Sequence, residues 1–209
     1  MTSDTTLVTV ASLAALLAFV FMLYGTGIGF TGNVVDTGSV NISVDTSTAV
    51  NFTTDRVNFA SGVVNLGATN ATLNTAAGTV VGGTFSTATG FLLQNIGNTN
   101  VSLDVATTKT AATLLGGTLP LYQYNVSNVE SGSCLNSTHN PLNATQVWGG
   151  LQIDSFLNVN TTSPGSRVCA VFPFKDTADQ VRIDILLAVP SDSFTGQLND
   201  TITVTATAV

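Results

Sequence analysis

The stretch VRIDILLA, residues 181–188, decides the fold class of this 209-residue chain. Val181, Ile183 and Ile185 are apolar, and the residues between them, Arg182 and Asp184, are charged. Successive side chains of a β-strand point to opposite faces, so this alternation is typical of a strand that buries one face. The stretch therefore predicts that the chain is built mainly from β-strands.

Strand patterns recur on both sides of this stretch. Residues 101–106 alternate in the same way, and in TITVTATAV, residues 201–209, apolar side chains alternate with threonine. Many short strands separated by Gly and Asn turns predict an antiparallel β-sandwich, either Ig-like or jelly-roll-like. Further strands are predicted at Ser39–Val44, Arg56–Leu66, Thr79–Phe85, Phe91–Asn95 and Arg167–Phe174.

The chain divides into two predicted domains. Residues 1–30 form a hydrophobic N-terminal segment, and residues 31–209 form an exported β-sandwich domain. The pattern is less regular from about 119 to 164, where Tyr122, Tyr124 and Trp148 occur. This part is predicted to be an insertion or a set of long loops packed by aromatic side chains.

The N-terminal segment contains 24 residues without a charge, Leu7–Phe30. Its richness in Ala and Leu predicts a long α-helix of about 36 Å, which is enough to cross a bilayer. A cleaved secretory signal would begin with basic residues, which the sequence MTSDTT lacks. A membrane anchor would normally be oriented by basic residues next to it, and the first basic residue here is Arg56. A filament core and a membrane anchor both stay open. The residues predicted to pack this helix against neighbouring helices are Ala11, Ala14, Leu17, Ala18, Phe21, Gly25 and Gly29.

Composition excludes several classes of function. The net charge is −7 and only five residues are Lys or Arg, which disfavours nucleic acid as a partner because phosphate binding needs clustered cations. His139 is the single histidine, so the four ligands of a zinc site cannot be assembled from His and Cys. We therefore expect no metal site, no cofactor and no catalytic residues.

Sequons and cysteines indicate an exported protein. Two cysteines in an exported chain most simply form one disulfide, here Cys134–Cys169. The N-x-S/T sequons number nine, whereas 18 Asn and 51 Ser or Thr among 209 residues would give about four by chance (18 × 51/209). The candidate glycosylation sites are Asn41, Asn51, Asn70, Asn100, Asn125, Asn136, Asn143, Asn160 and Asn199.

One tetrapeptide suggests an enzyme. Asp36-Thr37-Gly38-Ser39 matches the active-site string of aspartic proteases, whose chemistry needs two carboxylates that share a proton. The chain contains no second copy of the string, although a homodimer would supply one. A surface hydrolase that uses Asp36 is therefore the remote alternative, and the main prediction is that the protein is not an enzyme.

This layout resembles archaeal type IV pilins and archaellins. The resemblance rests on the charge-free stretch Leu7–Phe30 followed by a Thr/Ser/Asn-rich β-domain with many sequons. It implies a helical homopolymer in which the N-terminal helices leave the membrane and form the core, while glycosylated β-domains face outward. A weaker resemblance, carried by residues 91–103, FLLQNIGNTNVSL, is to TasA-like jelly-roll fibre subunits, which join by strand donation.

Three functions are therefore open at this stage. The first is a subunit of a cell-surface filament for adhesion or motility, with copies of itself, the membrane before assembly, and host or surface glycans as partners. The second is a membrane-anchored envelope glycoprotein or adhesin, and the third is the hydrolase. The expected location in all three cases is extracellular, at the cell surface.

Overall fold

The computed structural model describes residues 41–137, 140–141, 147–148, 151–152 and 155–209. Within them lie one short helix, α1 (Ala111–Leu115), and 14 strands. The strands are β1 (Val50–Thr54), β2 (Asn70–Asn74), β3 (Thr79–Val81), β4 (Phe91–Asn95), β5 (Val101–Thr107), β6 (Leu121–Asn128), β7 (Leu135–Ser137), β8 (Asn140–Pro141), β9 (Val147–Trp148), β10 (Leu151–Gln152), β11 (Leu157–Asn158), β12 (Ser166–Phe172), β13 (Gln180–Pro190) and β14 (Ile202–Ala208).

Strand β13, which contains the stretch 181–188, is the centre of a seven-stranded antiparallel sheet. One edge of β13 pairs with β6 along residues 181–188. The other edge pairs first with β4, at residues 180–183, and then with β2, at residues 186–190. Strands β1, β3 and β11 extend the sheet beyond β4, β2 and β6. The stretch 181–188 thus lies in the strand that joins the other strands of this sheet.

A second antiparallel sheet has the order β14-β5-β12-β7-β8, and β9 pairs with β10 separately. Residues of both large sheets share one hydrophobic core, as in a sandwich. Leu103 of β5 and Ile183 of β13 are both 1% exposed within it. All the strands and both large sheets belong to the compact unit Asp45–Val209.

The predicted fold class needs a correction in its helical part. The residues that the structure describes contain almost no helix, because α1 has five residues and no other helix occurs among them. None of the helices in this part of the chain is long and apolar enough to cross a membrane. The stretch predicted as the long helix, Leu7–Phe30, lies outside the described residues, as do the packing residues Ala11, Ala14, Leu17, Ala18, Phe21, Gly25 and Gly29.

The predicted irregular insertion at about 119–164 also needs a correction. It contains β6, an eight-residue strand that pairs along most of the central strand. Tyr122, Tyr124 and Val126 alternate with polar residues and are 6%, 0% and 5% exposed, so they belong to the core and do not pack a loop. The two residues between them, Gln123 and Asn125, are polar, so the alternation typical of a strand is present in this part of the sequence.

Candidate functional site

The structure separates the sequons by their accessibility. Asn125 is only 5% exposed because it lies in β6 opposite the central strand, so the folded domain does not offer it to a glycosyltransferase. Asn100 and Asn160 are half-buried, and the side chains of Asn136 and Asn143 are outside the described residues. The sequon asparagines that are exposed are Asn41, Asn51, Asn70 and Asn199.

Asn160 also has its amide engaged. Its Nδ2 donates to Ser166 Oγ at 3.2 Å, and its Oδ1 accepts from the backbone N–H of Thr162 at 2.9 Å. A glycan attached to Nδ2 would replace the first of these hydrogen bonds. The exposed sites at Asn51, Asn70 and Asn199 thus fit a sugar better than Asn160 does.

Cys134 and Cys169 are joined by a disulfide in the core, with their Cα atoms 5.5 Å apart. Both residues are 0% exposed. Cys169 lies in β12, and Cys134 comes directly before β7, which pairs with β12. The disulfide therefore ties the outer part of the second sheet to its centre.

Asp184 is the buried acid that most suggests chemistry, because it is 0% exposed although the alternation of residues 181–185 places it on the polar side of its strand. It lies where β13 changes its partner from β4 to β2. Its Oδ1 accepts from Thr75 Oγ1 at 2.8 Å, and its Oδ2 accepts from Arg182 Nε at 2.8 Å. The same Thr75 hydroxyl accepts from the Ile185 N–H at 2.8 Å, so the two side chains complete the hydrogen bonding at the strand junction.

Gly90 leaves the space that Asp184 occupies. A Cβ at position 90 would lie 2.5 Å from Asp184 Oδ1 and 2.7 Å from the Ile183 carbonyl oxygen. The junction is therefore closely packed and hydrogen-bonded, which assigns Asp184 a structural role.

Replacing Asp184 with Ala is expected to lower the free energy of unfolding by about 2–3 kcal/mol, because the buried Thr75 hydroxyl loses its acceptor. Arg182 contributes less to this loss, since its side chain is 43% exposed and is solvated when its partner is removed. Asp184→Asn is the matched control, because an amide oxygen still accepts from Thr75. Urea denaturation of both variants measures the difference, and an equal loss in both would contradict the role of this hydrogen bond.

A cleft of about 530 Å³ is lined by Leu119, Pro120, Leu121, Tyr122 and Val159, with Thr110, Ala111, Ala112 and Asn158. Burial, and then the nearby carboxylate of Asp200, raise the pKa of Tyr122 well above its usual range. The phenol accordingly stays protonated at neutral pH and is unsuited to act as a base or nucleophile.

Asp192 joins two loops at the surface. Its Oδ1 accepts from the Thr118 N–H and its Oδ2 from Thr118 Oγ1, both at 2.8 Å. Gly117, at φ +72°, allows this close approach, because a Cβ there would lie 2.6 Å from Asp192 Oδ1. The hydrogen bonds from Thr118 hold the pKa of the Asp192 carboxyl below its usual range.

This lowered pKa predicts a pH dependence. The carboxylate's contribution to stability is present above the unfolded-state pKa of about 4 and is lost as the pH falls through the lower, folded-state pKa. We expect Asp192→Asn to be less stable than the wild type at pH 6, with the difference shrinking by pH 3. Urea denaturation at both pH values measures this, with Asp176→Asn as a charge-matched control at another exposed acid. A gap that stays constant with pH would contradict the prediction.

The last strand, β14, forms one edge of the second sheet. In the described part of the chain, β14 pairs with β5 alone, through an unbroken register from Ile202↔Thr107 to Ala208↔Val101. Its first three residues alternate between half-buried and exposed, and its last two residues, Thr207 and Ala208, are exposed. This edge is the longest free strand edge among the residues that the structure describes.

Several predicted or chemically suggestive residues are not brought together. Asp36, the residue of the hydrolase hypothesis, and His139 lie outside the described residues. Among the described residues, no group of three or more His, Cys, Asp or Glu side chains could hold a metal ion. The alternation of residues 181–185 puts Asp184 on the side away from the core, and it gives no sign that Asp184 is buried and accepts a hydrogen bond from Thr75.

No protein-family model, no curated protein and no solved structure matches this chain.

Proposed function

We propose that the protein is a structural subunit of an extracellular surface filament, of the kind formed by archaeal type IV pilins. The observation that carries the proposal is a disulfide-linked β-domain with exposed sequons, joined in one chain to a 24-residue stretch without a charge. Its main partner would be further copies of itself, and it would contact the membrane before it assembles.

The apolar stretch supports assembly because it needs apolar surroundings. Burying an apolar side chain of the size of Leu or Phe contributes about 1.5–3 kcal/mol, and Leu7–Phe30 contains many of them. Copies of the same stretch, packed side by side, supply such surroundings outside the bilayer. Lipid supplies them before assembly.

The β-domain supports an exterior location for the rest of the chain. Its disulfide is of the kind that persists in oxidising, extracellular surroundings. Only 8% of the residues are charged, and the exposed sequons offer points at which sugars would keep such a surface soluble. Adhesion or motility, the functions expected of such filaments, remain the proposed uses of the assembly.

Electron microscopy of material sheared from cells that produce the protein tests the proposal. We expect filaments in which mass spectrometry identifies this chain as the main component, at a mass above the 21.4 kDa of the bare polypeptide. A chain that stays with the membrane fraction and forms no filaments would favour the second function, a membrane-anchored surface glycoprotein or adhesin.

A further inference from the structure

Strand β14 lacks the features that protect the other strand edges of this domain. Edge strands avoid pairing with other chains by being short, by carrying a charge or a proline, or by containing a bulge. β14 has seven residues, ITVTATA, without a charge or a proline, and its pairing with β5 contains no register shift.

The remaining edge strands of the two large sheets all carry at least one of these features. β3 and β11 have three and two residues, and β8 has two residues and ends in Pro141. β1 has five residues and an irregularity in its pairing between Phe52 and Thr54. Among the strands that the structure describes, β14 is thus the edge strand without any of these protective features.

The hydrogen bonds to β5 show which groups this edge presents. Thr201 accepts from the Thr108 N–H and Val209 donates to the Asn100 carbonyl, both at 3.1 Å. Antiparallel pairs alternate between bonded and non-bonded residues, so the odd-numbered residues of β14 face β5. The groups that point away from β5 are then the N–H and C=O of Ile202, Val204, Ala206 and Ala208.

We infer that the occupant of this edge is β14 of a second copy, paired antiparallel about a two-fold axis at Thr205. This register pairs all seven residues and satisfies the outward N–H and C=O groups of both strands. It places Val204 opposite Ala206 and Ile202 opposite Ala208, so a larger apolar side chain meets a smaller one on the core side.

The side chains on the other face of the two paired β14 strands also fit this register. Thr203 would lie opposite Thr207, and Thr205 opposite its own copy, at the non-hydrogen-bonded positions where side chains are closest. Threonine pairs of this kind stabilise neighbouring strands, and no like charges meet although each chain has a net charge of −7. The result is one continuous sheet that runs through two copies, a contact that does not depend on the proposed filament.

A charge exchange at the axis tests this pairing. Thr205→Lys and Thr205→Glu each place two like charges opposite each other, and each should weaken dimerisation of the full chain in mild detergent about fivefold. Mixing the two variants pairs Lys with Glu and should restore dimerisation to at least the wild-type level. Sedimentation velocity measures the dimer fraction, and association through residues 1–30 would not respond to this exchange.

A second pair of variants tests the backbone contribution. Ala206→Pro removes an N–H that points away from β5, so the domain keeps its own hydrogen bonds while dimerisation falls about tenfold or more. Ala206→Thr keeps the N–H and should dimerise like the wild type, and circular dichroism verifies that both variants fold. A monomeric wild type, or a Lys–Glu mixture that dimerises no better than either variant alone, would overturn the inference.

Discussion

Replacing Leu17 with Asp is expected to abolish assembly of the full chain into filaments. Leu17 is the eleventh residue of the charge-free stretch Leu7–Phe30, and in the proposed filament this stretch is buried among its copies. An unpaired carboxylate in such surroundings costs several kcal/mol, and every subunit of the polymer would carry one. Because each added subunit would bring this cost, the variant should not polymerise.

The matched control is Leu17→Ile, which keeps the apolar volume at the same position. Electron microscopy and the sedimentable fraction of sheared material measure assembly, and the circular dichroism of the β-domain shows whether the variants remain folded. If Leu17→Asp forms normal filaments, the stretch is not the filament core and the contacts between subunits lie between β-domains.

Removing the disulfide is expected to lower the free energy of unfolding by about 3–4 kcal/mol. Cys134 and Cys169 are 35 residues apart, and the chain-entropy relation gives this value for a loop of that length. Because both residues are fully buried, alanine is the replacement that adds no polar group to the core. Urea denaturation of the double variant Cys134→Ala/Cys169→Ala measures the loss.

Two comparisons make this prediction specific. The single variant Cys134→Ala should lose nearly as much stability as the double variant, because either substitution opens the same loop. Reduction of the wild-type protein should also lower its stability. Two free thiols in freshly isolated native protein would show that the cross-link is absent, and a double variant as stable as the wild type would show that it does not stabilise the domain.

The sequence predicted those strands whose alternation is visible locally. Residues 181–188 and 101–106 lie in β13 and β5, residues 201–209 contain β14, and Phe91–Asn95 is β4. Arg56–Leu66, predicted as a strand, forms a single isolated bridge at Val64 and a few backbone hydrogen bonds to residues 82–86, and it is not a strand in the structure. Its residues Val57, Phe59 and Val64 pack against the core. Alternation in that segment reflects contact with the core, which does not require a regular strand.

The features that the sequence did not predict depend on residues far apart in the chain. The junction at Asp184 requires Thr75, which lies 109 residues away, and its meaning appears only when β4 and β2 share one edge of β13. The position of β14 at the edge of its sheet could not be predicted either, since alternation alone does not say which strand lies outermost. The disulfide needed no such information, because two cysteines allow one pairing.

The position of β13 in the chain also constrains when the domain can fold. β13 holds β2, β4 and β6 together, and β14 pairs with β5, whose Ser102 Oγ donates to a Thr207 oxygen 105 residues away. Contacts of such sequence separation form late, because a long loop must close before they stabilise anything. Neither sheet is complete until residues 180–208 have left the ribosome. Strands β2, β4 and β6 therefore leave the ribosome before the strand that joins them.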